Sequence, residues 1–451
     1  MLRVVGFLVA MSLVAPELPA AAQTLPRDAA IYEPELKDEV LEQIKERNRK
    51  LHDELNAAVS AIRKHQEAGR KARQDGRKVL RATLPESELP GPPESFQPLF
   101  HFEPQAQYMT GTCWAFAATS FMESEAFRIS GRKIKLSEMH TVYYEYLDKV
   151  ARFVEQRGDS LVTEGSQHGA IRRVFAAYGA VPAEAYTGVK SADGWHDHMA
   201  LSKELSAFLA FVKQEERWEQ SFVMAGVREI LDRHLGAPPA NFAWKGKEYT
   251  PRSFLEKVLK LHPEDYVEVM STMSAPFFRM AEFEVPDNWG HDASYYNVPL
   301  DLFYSSLVSA VATGYTVAIG GDVSEPGKNY RQDIAFVPTF DIPGDYIDQS
   351  AREYRIENGS TGDDHGIHLV GMSRVGEHTW FLIKDSGRSA RHGRFAGYYF
   401  FRDDFVKLKM LTWFVHKDAV KDALSAMLPP EPEVGPEKAP EGTEPKEDGK
   451  P

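Results

Sequence analysis

The sequence predicts an α+β protein whose helices come before an antiparallel sheet. Five segments of the central chain carry apolar residues at helical spacings of three and four, and two of them stop at Gly131 and Gly179. Five short runs of strand-forming residues cluster after residue 315. A block of helices followed by a block of strands is typical of the α+β class, whereas α/β proteins alternate the two.

Each predicted element has a definite place on the chain. The predicted helices span 113–129, 168–178, 200–212, 222–235 and 299–312. The predicted strands span 316–319, 368–372, 380–384, 398–401 and 411–415. No internal repeat connects these segments, so a repeat architecture is not expected.

A further amphipathic helix is predicted ahead of this body. Between Leu36 and Ile62 apolar residues recur at alternating steps of three and four. Such a helix packs on the protein's own body or on a neighbouring subunit, or forms an independent coiled coil. Residues 36–82 carry 13 Lys and Arg against 8 Asp and Glu, which also suits a removable pro-segment. A proline-rich linker ends this segment near residue 95, and the body is predicted to span residues 96–428.

The two ends of the chain differ in composition from the body. Residues 1–22 have one cation, an apolar run and three alanines before Gln23, which is the pattern of a cleavable secretory signal. The alternative, a buried N-terminal helix, is opposed by Pro16 and Pro19. Residues 429–451 contain seven prolines and seven acidic residues without an aromatic side chain, so we expect disorder there. The protein is therefore predicted to be secreted or periplasmic, without a stable membrane anchor.

Composition narrows the classes of partner. The formal net charge is −13, whereas a nucleic-acid-binding protein needs a surplus of Lys and Arg. Nucleic acid is therefore not an expected partner. Cys113 is the single cysteine, so no intrachain disulfide is possible. A lone cysteine is either an inert buried thiol or a functional group, and its surroundings decide between the two.

Cys113 lies in the stretch from Gln107 to Ala117, where Gly111 and Thr112 precede an apolar helical run. This places the cysteine in the first turn of a helix, where the helix dipole favours the thiolate. Gln107 lies six residues upstream, and its amide can approach the backbone N–H of Cys113. Two donors that point at one position form an oxyanion hole.

A thiolate nucleophile needs a histidine, and His365 is the best candidate because it leads into an apolar strand. Asp385 ends the next predicted strand, twenty residues later, so a hairpin brings the two together. An alternative is a metal site formed by His365 and His368 with Asp363 or Asp364. Residues three apart on a strand point to opposite faces, which disfavours that alternative. No metal or cofactor is expected.

The Gln107–Cys113–Trp114 spacing, with His365 and a polar residue at 385, resembles the active site of papain-like cysteine peptidases. This resemblance implies a papain-like fold, in which a helical part carries the cysteine helix and an antiparallel sheet or barrel carries the histidine. It implies catalytic roles for Cys113, His365, Asp385 and Gln107. The implied partners are peptide substrates.

The 252 residues from Cys113 to His365 exceed the roughly 130–150 of ordinary papain-like enzymes. We therefore expect a large helical insertion at about residues 190–295. This enlargement resembles the bleomycin hydrolase and aminopeptidase C branch, with which the stretches 164–167, 178–186, 296–301 and 317–323 agree. The branch implies aminopeptidase action, a homo-hexamer, and substrate binding by Gly165, Ser166 and Trp114.

Three positions depart from the family pattern. Asp385 replaces the usual Asn, Gly387 replaces the Trp that shields the pair from water, and Ser166 replaces a Gly. Asp385 is alternatively a plain turn residue beside Ser386. If Asp385 orients His365, an asparagine there should serve at least as well. The acidic extension beyond residue 428 stands where the branch has the C-terminal carboxylate that holds the substrate's amine.

These departures leave two rival functions beside the cysteine peptidase. One is a non-catalytic relative that keeps the fold for peptide binding or assembly. The other is an acyltransferase that uses the same thioester chemistry with an amine as acceptor.

Overall fold

The computed structural model describes residue 32 and residues 34–425, and the chain divides into two units after Lys78. The first unit contains helix α1 (Glu39–Asp75), capped by the Asp38 side chain. This helix confirms the predicted one and is longer at its C-terminal end. None of its residues is buried, and Leu41, Leu51 and Leu55 are more than half exposed. The predicted signal peptide and acidic tail lie outside the described residues.

The second unit starts at Val79 and contains the remaining helices and strands. Its helices are α2 (Cys113–Ser130), α3 (Glu138–Glu155), α4 (Ala170–Tyr178), α5 (Met199–Gln214), α6 (Gln220–Leu235), α7 (Pro251–Phe254), α8 (Leu300–Ala312), α9 (Gln349–Glu357) and α10 (Asp403–Lys409). Its strands are β1 (Phe242–Trp244), β2 (Lys247–Tyr249), β3 (Tyr266–Met270), β4 (Arg279–Ala281), β5 (Tyr295–Asn297), β6 (Val317–Gly321), β7 (Lys328–Asn329), β8 (Ile334–Ala335), β9 (His365–Val375), β10 (His378–Lys384), β11 (Tyr398–Arg402) and β12 (Met410–His416). Among the described helices, none is long and apolar enough to cross a membrane.

The α+β prediction is confirmed, and every helix and strand predicted for the body overlaps an observed one. The main sheet has the order β4-β5-β3-β12-β6-β9-β10-β11-β8-β7. Its central strands, from β3 to β11, pair antiparallel, while β3 with β5 and β11 with β8 pair parallel. Helix α2 ends as predicted at Gly131, whose φ of 69° suits a glycine.

The predicted insertion at about 190–295 has its long helices only in its first half, while the second half contains the short helix α7 and the strands β1 to β5. Helices α5 and α6 occupy the first half, but β3 and β5 lie in the main sheet. Strand β3 is five residues long and buried throughout, so it lacks the polar alternation that identifies a strand. Periodicity therefore could not distinguish this part of the insertion from helix.

The core has a helical part and a sheet part, and the two meet along α2. The Phe121 ring of α2 forms T-shaped contacts with Tyr266 and Phe414 of the sheet, with ring centroids 5.6 and 5.3 Å apart. Residues 114–126 of α2 are all buried. The N-terminus of this buried helix is thus held in a fixed position against the sheet.

Arg352 of α9 is fully buried and joins three separate segments. Its guanidinium donates to the backbone carbonyls of Ser271 at 3.0 Å, Lys407 at 2.9 Å and Leu411 at 3.2 Å. Burial lowers its pKa to about 10, so the group stays charged at neutral pH. Arg352 thus supplies hydrogen-bond donors to three backbone carbonyls in the interior of the sheet part.

Arg352→Met is expected to lower the free energy of unfolding by about 2–4 kcal/mol, because it leaves buried carbonyls without donors. Urea unfolding followed by tryptophan fluorescence measures the change. The matched control is Arg374→Met, since Arg374 is exposed, and we expect a change of about 0.5 kcal/mol or less. Equal effects of the two substitutions would contradict a structural role for Arg352.

Candidate active site

Cys113 is the first residue of α2, as predicted, and it is partly exposed while Trp114 to Ala118 are buried. The carbonyl of Thr112 accepts the N–H groups of Ala115 at 2.9 Å and Phe116 at 3.2 Å, which starts the helix. The thiol therefore lies at the positive end of a buried helix dipole. It also lines a cavity of about 430 Å³ together with His365, Gly165 and Ser166.

His365 and Asp385 are brought together by the hairpin of β9 and β10. His365 begins β9, and Asp385 directly follows Lys384, the last residue of β10. The imidazole Nε2 lies 2.8 Å from the Asp385 Oδ1. Because Nε2 is engaged there, Nδ1 is the nitrogen available to Cys113.

The electrostatics of this group favour a charged histidine. Burial acts to lower the pKa of His365, but the charge of Asp385 and that of Cys113 outweigh it and raise the pKa to about 10. His365 is therefore an imidazolium at neutral pH. An imidazolium beside a cysteine sulfur favours the thiolate form as the nucleophile.

Asp385 has a second, unpredicted partner in Lys328 of β7. Asp385 is fully buried, and the Lys328 Nζ lies 3.3 Å from its Oδ2 with only 7% of the lysine side chain exposed. Burial acts to raise the pKa of Asp385, but Lys328 and His365 outweigh it and hold the pKa well below the usual range. The buried Asp385 carboxylate thus pairs with two cations, His365 and Lys328. Its contacts therefore extend beyond those of a plain turn residue.

Gly387 lies too close to the pair for any side chain. Its N–H donates to the Asp385 Oδ1 at 2.6 Å. A Cβ at this position would lie 2.9 Å from that oxygen and 3.2 Å from the His365 Nε2. The tryptophan expected from the family pattern is therefore incompatible with this backbone, and Gly387 lines an open cavity of about 390 Å³ instead.

Gln107 lines the same cavity as Cys113 and His365. Its side-chain oxygen accepts from the Ser386 hydroxyl at 2.8 Å, and its amide nitrogen donates to the Thr110 carbonyl at 2.8 Å. Since an amide carries two N–H groups, one remains for a substrate oxygen. Its role as oxyanion donor stays a prediction.

The three predicted substrate-binding residues, Gly165, Ser166 and Trp114, all line the cavity. The Trp114 indole is buried and donates to the Glu164 carbonyl at 2.9 Å. The Ser166 hydroxyl turns away and donates to Glu145 at 2.7 Å. Ser166 stands where the family pattern has a glycine, and Glu145 accepts the hydrogen bond of its hydroxyl.

Two buried residues of α3 fix this loop, and neither was predicted. Glu145 accepts from Ser166 and also from the Trp289 indole at 2.6 Å. The Lys149 ammonium donates to the carbonyls of Thr163, at 2.9 Å, and Gly165. Helix α3 was not predicted, although Ser137 before it is a recognisable N-cap residue. The contact of its buried charges with this loop has no local sequence signal.

His368 is buried, and its Nδ1 lies 2.9 Å from the Ser120 hydroxyl. Burial, first, and the charge of Lys384 hold its pKa well below the usual range. It is thus a packed, neutral histidine on the α2 side of β9. Among residues 34–425 no three potential ligands lie together in a way that suits a metal ion.

A helix that carries a cysteine at its N-terminus, facing a histidine on the adjacent sheet, defines the class of papain-like cysteine peptidases. The comparisons agree: the model of the Peptidase C1-like family matches residues 151–436, so the chain belongs to that family. His365 and Asp385 lie within the match, whereas Cys113 precedes it.

One solved structure is similar over most of its length. PepW from Lactobacillus rhamnosis HN001 aligns with a TM-score of 0.61 and 18% identity, covering 87% of this chain and 95% of that one. At this identity the similarity supports the fold. A search of the curated proteins found no significant sequence relative.

Proposed function

We propose that this chain is a secreted cysteine peptidase that cleaves peptides through a thioester on Cys113, with aminopeptidase-like action. The observation that carries the proposal is the position of His365, which bonds Asp385 at 2.8 Å and also interacts with Cys113. Secretion rests on the sequence of residues 1–22. The mode of cleavage rests on the resemblance to the bleomycin hydrolase branch.

In the first half of the reaction the Cys113 thiolate attacks the scissile carbonyl carbon, and an S–C bond forms. The developing oxyanion is stabilised by the Cys113 N–H and the free N–H of Gln107. His365 then gives its proton to the leaving amine as the C–N bond breaks. The thioester remains on the enzyme.

In the second half His365 must act as a base. Acylation removes the thiolate charge, which is one of the causes that raise the pKa of His365. The pKa therefore falls, and neutral imidazole can accept a proton from water. The water oxygen adds to the thioester carbon, the C–S bond breaks, and the thiolate–imidazolium pair forms again.

A pair of fluorogenic peptides that differ only in a free or blocked N-terminus tests this proposal. We expect hydrolysis of both, with kcat/KM at least tenfold higher for the free amine. An epoxysuccinyl peptide should block the reaction by alkylating Cys113, and at mildly acidic pH it should react faster than with a free thiol. Because Cys113 is the only cysteine, one thiol label per chain identifies Cys113 as the modified residue.

Different outcomes separate the rival functions. Labelling no faster than that of a free thiol, together with no hydrolysis, would assign the chain to the non-catalytic relatives. Transfer of the acyl group to added amines in preference to water would identify an acyltransferase. A preference for the blocked peptide would indicate endopeptidase action and contradict aminopeptidase action.

A further inference from the structure

Next to the reactive pair lies a second cavity of about 400 Å³, bordered by β3, β5 and the loop before β5. Both cavities are lined by Ser166, Gln167 and Asp287. The second cavity is therefore adjacent to the cleft that holds Cys113, and these three residues lie between the two. A peptide that pairs with Gly165 can extend a group into it.

Asp287 occupies a special position between the two cavities. A Cβ on Gly165 would lie 2.3 Å from the Asp287 Oδ2, so the carboxylate lies directly against the glycine backbone. Within residues 34–425 Asp287 accepts no hydrogen bond. Burial raises its pKa, and the nearby Lys149 only partly opposes this.

A buried carboxyl oxygen in the second cavity also lacks a partner. Glu268 of β3 is only 1% exposed, and its Oε1 accepts the N–H of Gly169 at 3.0 Å. Among the described residues its Oε2 has no partner within hydrogen-bonding geometry. Burial raises the pKa of this carboxyl to about 7, although the charge of Arg172 and the nearby Tyr295 hydroxyl act to lower it. A buried unpaired carboxyl oxygen is costly, which indicates that a donor from outside belongs there.

The cations around this space are already engaged. Arg172 donates to Asp292 at 2.9 Å, and Arg173 pairs with Glu145 and Asp148. The Lys149 ammonium is held by two backbone carbonyls. Among residues 34–425 neither Asp287 nor Glu268 forms an ion pair, although the charges of Lys149 and Arg172, respectively, act on their carboxyl groups from a longer distance.

Asp363 adds a third carboxyl group on the Cys113 side. It accepts from the Gln167 amide, and burial raises its pKa to about 7, with a contribution from the neighbouring charge of Asp287. The negative charge of Asp287 thus acts on Asp363, and a cation placed between these two carboxyl groups relieves their repulsion.

We propose that Asp287, with Glu268 and Asp363, forms a subsite that binds a cationic group of the peptide substrate. The inference rests on the proposed peptidase function and names its substrate class. The cation is an ammonium or guanidinium, supplied by a basic side chain or by the free α-amino group. Asp287 is the specificity residue because it lies at the junction of the two cavities.

The test uses pairs of fluorogenic peptides that differ in one charge. Arginine and its neutral isostere citrulline are placed in turn at the first and second positions before the cleaved bond, with the N-terminus blocked. A further pair has neutral side chains and a free or acetylated N-terminus. We expect the wild type to prefer the charged member of at least one pair by tenfold or more in kcat/KM, and that pair identifies the source of the cation.

In Asp287→Asn this ratio is expected to fall at least fivefold, and Glu268→Gln and Asp363→Asn should lower it less. The matched control is Asp301→Asn, an exposed aspartate of α8, which should keep the wild-type ratio. No charge preference in the wild type, or an unchanged ratio in Asp287→Asn, would overturn the subsite.

Binding to Cys113→Ala separates this inference from the proposed function. Calorimetry with arginine and citrulline peptides measures the preference without turnover. If the wild type hydrolyses no substrate but Cys113→Ala prefers the cationic peptide, the subsite stands and the peptidase function fails. If hydrolysis depends on Cys113 but no charge preference exists, the function stands and the subsite is wrong.

Discussion

Replacing Cys113 by alanine is expected to lower kcat/KM for peptide hydrolysis by about 10⁴-fold or more, because the only candidate nucleophile is lost. The substitution removes a partly exposed sulfur at the start of α2 and leaves the buried residues of that helix unchanged. The fold should therefore remain intact. Progress curves with a fluorogenic peptide measure the loss, and urea unfolding checks that the protein is folded.

Cys113→Ser is the matched control, because it keeps a polar atom of similar size at the same position. Serine is a far weaker nucleophile beside an imidazolium, so its activity should be nearly as low as that of alanine. Retention of more than about 1% of wild-type activity in folded Cys113→Ala would show that another group performs the reaction.

The second large effect is expected at Asp385, and its direction depends on Lys328. Asp385→Asn removes the carboxylate that raises the pKa of His365 and leaves the Lys328 ammonium buried without its partner. We expect kcat/KM to fall by about 10–100-fold, and the free energy of unfolding by about 3 kcal/mol, since an unpaired buried charge is strongly destabilising.

The double variant Asp385→Asn with Lys328→Met tests this explanation. It removes both charges and leaves an amide beside His365, so kcat/KM should return to within about fivefold of the wild type. If the charge of the Asp385 carboxylate is itself required, the second substitution will bring no recovery of kcat/KM. Recovery of stability without recovery of rate would therefore contradict the explanation that the unpaired Lys328 causes the loss of activity.

The pH profile gives a readout that a structural role would not change. His365 must be protonated to donate to the leaving amine, so kcat/KM should fall on the alkaline side near pH 10 in the wild type. Removing the carboxylate lowers the pKa of His365, so in Asp385→Asn the fall begins at a lower pH. An alkaline limb that does not move would contradict the electrostatic assignment.

From the sequence alone we expect asparagine at 385 to serve at least as well as aspartate, whereas the contact with Lys328 leads us to expect a loss of activity. Lys328 lies 57 residues before Asp385, and no local pattern connects the two. By contrast, the start of α2 and the His365–Asp385 pairing depend on a helix and on a hairpin of twenty residues. Such local features are read from periodicity and spacing.

The parts of the site that escaped prediction are those assembled by tertiary folding. Asp287 meets Gly165 from a distant loop, and Glu268 belongs to a strand that is too short and too buried to show alternation. Lys149 and Glu145 lie on a helix whose start at Ser137 has a recognisable cap. This cap could have indicated the helix, but no sequence pattern indicates the loop that its buried charges contact.

The close approach of Gly387 has a consequence for inhibitor selectivity. The family pattern places a tryptophan at this position, which closes the wall beside the histidine, whereas here that wall is open to a cavity of about 390 Å³. A covalent inhibitor with a bulky group that extends past His365 fits this opening and is excluded where the indole is present. The absence of one side chain thus offers a means of targeting this peptidase separately from relatives that carry the tryptophan.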